Sequence, residues 1–263
     1  MKWKSRLGKL NWVLSSQFGI DPRRFLGALR GVPFFVRDWA RFRRGFSGRL
    51  DLKPCLHERF EEAGVTGSEY FWQDLLVARW IFESKPARHV DVGSRVDGFV
   101  AHVASFRQIE VLDVRPITRN VPGVVFRQAD MMSADSVAAF LAEGECDSLS
   151  CLHAIEHFGL GRYGDPIDPS GYERGMANLA RLLKPGGTLY LSAPVGRERV
   201  EFNANWVFDP RTLLRCAKAN GLTLQKLTVI DRAGGVRQAE PDAESLEALA
   251  RDEYNLGVFV YKK

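Results

Sequence analysis

Four cysteines, Cys55, Cys146, Cys151 and Cys216, are too few and too scattered for a disulfide framework; no two form a C-x-x-C pair and no zinc spacing is evident. The expectation is reduced, structural thiols. No apolar run approaches the ~20 residues that span a bilayer as a helix. The basic N-terminus lacks the unbroken apolar stretch of a secretory leader. Internal repeats and low-complexity tracts are also missing. These absences exclude a small disulfide scaffold, a bundle of membrane-spanning helices and a solenoid. What remains is a globular chain of 263 residues, enough for one large α/β domain plus an extension. Its expected location is the cytoplasm.

Charge is unevenly distributed. The net is +5, yet residues 1–54 hold thirteen lysines and arginines against three aspartates, a surplus of ten that leaves the remainder at −5. Trp3, Trp12, Phe18, Phe25, Phe34, Phe35, Trp39, Phe42 and Phe46 are mixed among these charges. The stretch "RRFLGALRGVPFFVRDWARFRRGF" reads as one or two short amphipathic helices broken around Gly31-Val32-Pro33. Basic residues beside large aromatics suit an anionic membrane surface. They also suit nucleic acid. The same pattern arises when aromatics pack on a main domain and arginines face water. All three readings stand at this stage. Residues 1–66 are set apart as a basic, helical, aromatic extension, and 67–263 as the main domain.

In "TGSEYFWQDLLVARWIFESKP", Thr66 and Glu69 have capping-box spacing, while Phe71, Leu75, Ala78 and Phe82 recur at helical intervals. Beyond it, strands and helices alternate. Strands are predicted at 88–92, 108–113, 123–127, 146–151, 187–193, 222–230 and 256–262, with helices near 98–105, 134–142, 171–183 and 210–219. Such alternation implies a largely parallel, doubly wound sheet covered on both faces. The last two strands, separated by a polar excursion from Arg232 to Glu253, are expected to pair antiparallel at one edge.

Ligands of such sheets lie at the carboxyl ends of the strands. The first strand ends in Asp91-Val92-Gly93, and the turn reads Gly93-x-Arg95-x-x-Gly98. That is a dinucleotide fingerprint whose middle glycine is replaced by an arginine, where backbone would have to approach a pyrophosphate. Asp113 closes the second strand, and Asp130-Met131 follow the third. A carboxylate can accept from ribose hydroxyls or an adenine amino group, and a thioether suits a ring face. Each acid alone is better read as a cap or turn residue; three after successive strands form a pattern.

From about Tyr70 to Lys263 the chain resembles the class I S-adenosylmethionine-dependent methyltransferases, through "HVDVGSRVDG", "IEVLDVRP", "RQADMM", "CDSLSCLHAIEHFG" and "LLKPGGTLYLSAP" in that order. More narrowly, "YFWQDLLVARWIF" and "HAIEHFGLGRYGDPIDPSG" resemble a branch associated with surface-glycan biosynthesis. The resemblance implies a Rossmann-like sheet of seven strands in the order 3-2-1-4-5-7-6, the last antiparallel. It implies S-adenosylmethionine as cofactor, with Asp91, Gly93 and Gly98 around its methionine part, Asp113 on the ribose, and Asp130 with Met131 on the adenine. Arg95 departs from the small residues usual in this turn. This cofactor has no pyrophosphate and ends in a carboxylate, which an arginine could pair bidentately.

"LHAIEHFGLGRYGDPID" follows the fourth strand and supplies His153, Glu156, His157, Arg162, Tyr163, Asp165 and Asp168. Methyl transfer to a sugar hydroxyl needs in-line positioning and a general base or metal. His157 is favoured as the base over His153, with Glu156 orienting a histidine. The plainer alternative is that the three brace the loop. "HAIEH" also fits the inverted zinc-peptidase pattern H-x-x-E-H, but that needs both histidines on one helix, and Gly159 and Gly161 interrupt any helix. A divalent metal on Asp165, Asp168 and a histidine is conceivable, yet spacing does not establish it, and no metal is predicted. Asn203, Asn205 and Trp206 could bind a sugar ring, or Trp206 could simply pack on the sheet.

The expected function is O-methylation of a glycan, nucleotide-sugar or lipid-linked saccharide, with the N-terminus docked on the inner membrane face. The alternative is a non-catalytic, methyltransferase-like partner in a glycan-assembly complex. A nucleic-acid acceptor is the weaker reading, since the carboxylates of "GDPID" would repel a polyanion.

Overall fold

The computed structural model describes residues 13–64 and 66–263. Lys2, Trp3, Lys4, Arg6, Lys9 and Trp12 of the expected extension lie outside the described residues. The chain divides into two compact units, Met1–Val65 and Thr66–Lys263.

In the first unit helix α1 (Pro22–Gly45) runs unbroken through Gly31-Val32-Pro33, which corrects the expected break. Asp21 caps it, accepting from the backbone N–H groups of Arg23 and Arg24, with proline at the first helical position. Pro33 removes one N–H from the helical ladder. The helix nonetheless continues to Gly45. Gly31 presses on the backbone of Leu56, whose carbonyl oxygen would lie 1.9 Å from an added Cβ. On the same face Phe34 meets Phe60 edge-on and Arg59 pairs with Asp38. The opposite stripe, Phe25, Leu29, Val32, Val36 and Trp39, is exposed. No helix among the described residues is long and apolar enough to cross a membrane.

The second unit is built on strands β1 (His89–Val92), β2 (Ile109–Asp113), β3 (Val124–Gln128), β4 (Cys146–Leu152) and β5 (Leu183–Val195). A small hairpin, β6 (Arg199–Glu201) and β7 (Asn205–Val207), precedes β8 (Thr223–Ile230), β9 (Val236–Ala239) and β10 (Asn255–Lys262). The main sheet runs β3-β2-β1-β4-β5-β10-β8-β9, with β10 antiparallel to both its neighbours. The expected order is therefore present, with an eighth strand added. The polar excursion is not a loop: it forms β9 and helix α7 (Ala243–Arg251). β9 pairs outside β8, so the β8–β10 pair lies within the sheet and not at its edge.

Strand periodicity assigns the two faces. Val90 and Val92 of β1, Leu112 of β2, and Phe259 and Tyr261 of β10 join one core. They meet helices α4 (Ala134–Leu141), α5 (Gly171–Leu182), α6 (Pro210–Ala219) and α7 through Phe140, Leu179, Leu213 and Leu249. Ile109, Val111 and Val258 join the other, against Val77 and Ile81 of α2 (Glu69–Ser84) and Val103 of α3 (Ala101–Ala104). Helix α2 buries Gln73, Asp74, Val77, Ala78 and Ile81, while Phe71, Leu75 and Phe82 of the predicted periodic stripe stay exposed.

The cap of α2 also differs from expectation. Ser68, not Thr66, is the N-cap, with its hydroxyl accepting from the Tyr70 N–H at 3.3 Å. Glu69 is thereby freed from a capping role, and its carboxylate accepts instead from the Tyr254 hydroxyl at 2.7 Å. Ser68→Ala should lower the unfolding free energy by about 1 kcal/mol. Thr66→Ala should change it by less than ~0.5 kcal/mol, as for surface substitutions generally. Denaturant titration of both variants distinguishes the two caps.

Candidate functional site

Beyond the carboxyl ends of β1 to β4 opens a cavity of about 510 Å³. Its floor begins with the turn after β1. Gly93 takes φ +75°, and a Cβ there would lie 2.8 Å from that of Ala154. Asp91, wholly buried, lies behind this turn. Its carboxylate accepts from the hydroxyls of Ser94 (2.6 Å) and Ser150 (2.5 Å) and from the Ser94 N–H (3.0 Å). Burial pushes its carboxyl up to about 7 against these donors. Asp91 thus braces the turn and does not line the cavity, correcting its expected contact with a cofactor. Gly98 is likewise structural. An added Cβ would come 2.6 Å from the Asp74 carboxylate, so the glycine admits α2 and not a ligand.

Arg95 lines the mouth, but its side chain is 65% exposed and forks onto Asp97 at 2.7 and 3.0 Å. It neither blocks the cavity nor offers a free fork to a carboxylate, contrary to expectation. A second arginine, Arg115, also lines the cavity. It donates to both oxygens of Asp113 (2.6 and 2.9 Å) and rests on the Tyr163 ring, 4.5 Å from its centroid. Asp130 lines the next wall, with one oxygen accepting from the Met132 N–H at 2.8 Å. Met131 beside it is fixed by Asn178, whose amide donates to its carbonyl.

The far wall carries the two histidines, in opposite environments. His153 adopts a left-handed φ of +50°, uncommon for a side-chain-bearing residue. Its Nδ1 lies 2.6 Å from Glu156 Oε1 and its Nε2 3.4 Å from Glu69 Oε1, while Tyr70 stacks on the ring. Burial disfavours the charged imidazole, but the two carboxylates prevail and raise its pKa to about 9. His153 is therefore a clamped imidazolium. His157 differs. Its Nδ1 is 2.7 Å from the Ala204 carbonyl, which can only accept, so Nδ1 carries the proton and Nε2 keeps a lone pair. Burial, aided by Arg162, holds its pKa below the usual imidazole value against the pull of Glu156. Of the two, only His157 can take a proton near neutrality.

The loop after His157 brings Arg162, Tyr163 and Asp165 to the cavity. The carboxylate of Asp165 is turned into the loop, accepting from the N–H groups of Gly159, Gly161 and Tyr163 at 3.1–3.2 Å. Asp168 is away from the cavity; it accepts from Ser170 and pairs with Arg174 at 2.8 Å, securing the start of α5. The charge of Asp168 is thus met by Arg174, while Asp165 meets only neutral N–H groups at the cavity. Asn203, Asn205 and Trp206 belong to the β6–β7 hairpin and do not line the cavity either. Trp206 stacks on Phe208 at 5.8 Å, which is the packing alternative; the hairpin reaches the site through the Ala204 carbonyl. His153 and His157 share no helix, since His157 ends a three-residue 3-10 turn. Among the described residues no cluster of three or more His, Cys, Asp or Glu is arranged to hold a metal. The inverted zinc-peptidase geometry is not formed.

Tyr70, Gln73 and Asp74 line the cavity from α2, and Glu69 supports it, although none was expected there. Their signal was hidden because the buried face of α2 mixes polar and apolar residues. Arg115 was legible only as an arginine two positions after a strand-ending aspartate.

Comparison with known proteins agrees with this architecture. A family described as a Caenorhabditis protein of unknown function (DUF268) matches residues 126–216, less than half of the chain. No curated protein matches significantly. A Burkholderia thailandensis 1,6-didemethyltoxoflavin-N1-methyltransferase, solved with bound 1,6-didemethyltoxoflavin and S-adenosylhomocysteine, superposes with a TM-score of 0.52 at 15% identity, over 93% of this chain and 91% of that one. The cyclase SpnF superposes at 0.50 and 15% identity, over 72% and 81%. At such identity the likeness establishes the fold: a Rossmann-like, mostly parallel sheet of the class I methyltransferase type.

The histidine environments predict two titrations. By histidine-selective NMR, His153 should lose its proton near pH 9 and His157 below the ~6.5 of free imidazole. Because the folded pKa of His153 is raised, its clamp should stabilise the protein fully below ~6.5 and lose that contribution as pH rises through about 9.

Proposed function

We propose that the protein is an S-adenosylmethionine-dependent O-methyltransferase acting on a saccharide: a glycan, a nucleotide-sugar or a lipid-linked saccharide. One observation carries the reading. Gly93, Asp113 and Asp130-Met131, from the ends of three adjacent strands, line the same cavity as a neutral His157. The cavity volume, about 510 Å³, falls within the ~300–1,000 Å³ usual for small-molecule sites. The donor set suits the cofactor: a carboxylate for ribose hydroxyls at Asp113, a carboxylate and a thioether for adenine at Asp130 and Met131, and close backbone at Gly93. When bound there, the cofactor supplies an electrophilic methyl group.

The residues of the chain do the rest. His157 accepts the proton of the acceptor hydroxyl at Nε2, its ring held by the Ala204 carbonyl. Glu156 Oε1, 3.8 Å from that nitrogen, steadies the imidazolium that results. His153, already charged, keeps Glu156 ionised despite its complete burial. Tyr70 and, from the loop, His157, Phe158, Arg162, Tyr163 and Asp165 line the site. The saccharide is inferred from the sequence resemblance.

A second reading, a non-catalytic binding protein in a glycan-assembly complex, draws on the Arg115 fork that already occupies Asp113. Calorimetry decides between them. Wild type should bind S-adenosylhomocysteine, and Asp113→Ala should weaken binding about tenfold or more, as for loss of a charge-assisted hydrogen-bonding pair. Absence of wild-type binding overturns the enzyme reading.

The exposed stripe of α1, flanked by the exposed Arg30, Arg37 and Arg44, supports docking on an anionic membrane surface. The protein should float with phosphatidylserine-containing liposomes, and Leu29→Glu with Val36→Glu should abolish this. Equal flotation of wild type and variant excludes the α1 stripe as the anchor.

A further inference from the structure

Three arginines reach the cavity, and their charges are met differently. Arg95 is neutralised by Asp97 and Arg115 by Asp113. Arg162 has no carboxylate partner among the described residues; one nitrogen of its fork donates to the Ala204 carbonyl at 2.9 Å and lies 3.3 Å from His157 Nδ1. Its guanidinium carbon sits 5.2 Å from the Tyr163 centroid, on the same ring that carries Arg115 at 4.5 Å. The nearby loop acids are engaged elsewhere, Asp165 with backbone N–H groups and Asp168 with Arg174.

We propose that Arg162 and Arg115, gathered on Tyr163, bind an anionic group of the acceptor, and that a cofactor ribose completes this site by taking Asp113 from Arg115. The inference rests on the methyltransferase reading and deepens it. Both oxygens of Asp113 are in use by the Arg115 fork, so ribose hydroxyls must compete for them. Once displaced, Arg115 keeps its rest on the ring that Arg162 also meets, and neither guanidinium then has a carboxylate partner among the described residues. Two unpaired guanidiniums lining one cavity favour an oxyanion, which either fork can hold with charge-assisted, bidentate bonds. The acceptor is thus a saccharide with a phosphate ester or a carboxylate beside the methylated hydroxyl, and the cofactor binds first. Arg162 also donates to the carbonyl that orients His157, so an anion on Arg162 lies next to the base.

Calorimetry on the full-length protein tests this with glucose 1-phosphate, glucuronate and glucose, each with and without saturating S-adenosylhomocysteine. With it, one of the two charged probes should bind at least about tenfold more tightly than glucose, and which one identifies the anion as phosphate or carboxylate. Without it, that preference should shrink several-fold, since Asp113 then holds Arg115. Arg162→Met should reduce the charged probe to the level of glucose, and Arg162→Lys should restore part of the difference. Arg115→Met should remove the dependence on S-adenosylhomocysteine. Glucose binding as tightly as either anion, or an unchanged preference in Arg162→Met, overturns the anion site. Equal anion affinity with and without S-adenosylhomocysteine overturns the exchange at Asp113. Binding of S-adenosylhomocysteine with no anion preference sinks this inference alone; absence of its binding sinks the methyltransferase reading as well.

Discussion

A single buried carboxylate ties the walls of the cavity together. Asp91 is fully buried at the end of the central strand, where an unpaired charge would be costly. It is held by Ser94, which follows it in the turn, and by Ser150 from β4. Ser94 in turn accepts from the Leu152 N–H at 3.3 Å, so the ends of β1 and β4 are joined through one hydroxyl. The network continues inward to His89, whose pKa burial lowers to about 3. With the Ser150 proton committed to Asp91, neutral His89 must donate from Nε2 and accept from Ser148 at Nδ1. Strand alternation puts His89, Asp91, Ser148 and Ser150 on one face, opposite the apolar Val90, Val92 and Leu149. A polar seam under the turn fixes where Gly93 and His153 emerge.

That seam explains why the position of the site was legible and its detailed chemistry only partly so. Strand and helix order follow from local periodicity, and Asp113, Asp130 and Met131 follow from their place after strands; all three line the cavity. Tyr70, Gln73 and Asp74 arrive from a helix whose burial depends on tertiary packing, so no local pattern announces them. Asp91, Asp165 and Asp168 show the converse. Each looks like a ligand-binding acid by position, yet each is consumed by nearby donors, as short acidic side chains at turns commonly are. In the unbroken α1, Pro33 lies inside a helix that continues past it, so the proline did not mark a boundary.

The histidine pair carries the same lesson in electrostatics. His153 and His157 are four residues apart, both largely buried, and driven in opposite directions. Desolvation alone would leave both neutral. Glu69 and Glu156 reverse this for His153, while His157 meets Glu156 only at 3.8 Å and has Arg162 close on its other side. One carboxylate therefore serves two imidazoles unequally, which separates an imidazole charged at neutral pH from one that is not. The separation depends on Glu69 being free of the helix cap, so the choice of Ser68 as N-cap reaches the chemistry of the site.

The arginine in the turn is less of an obstacle than its position in the sequence suggests. Arg95 is held outward because Asp97, two residues on, offers a complete carboxylate at the surface, and the turn itself is fixed from below by Ser94. The arginine paired with an acid of the cavity wall is Arg115, which follows an aspartate by the same interval of two. The two pairs are chemically alike but differ in burial. Asp97 is 72% exposed and its pair with Arg95 is a screened surface contact. The side chain of Asp113 is 10% exposed, so removing Arg115 leaves a carboxylate facing the cavity without its fork. Such a carboxylate needs new donors, and a vicinal diol provides two. The competition proposed at Asp113 thus rests on burial: the same Asp-Arg pair at the surface would leave the cavity unaffected.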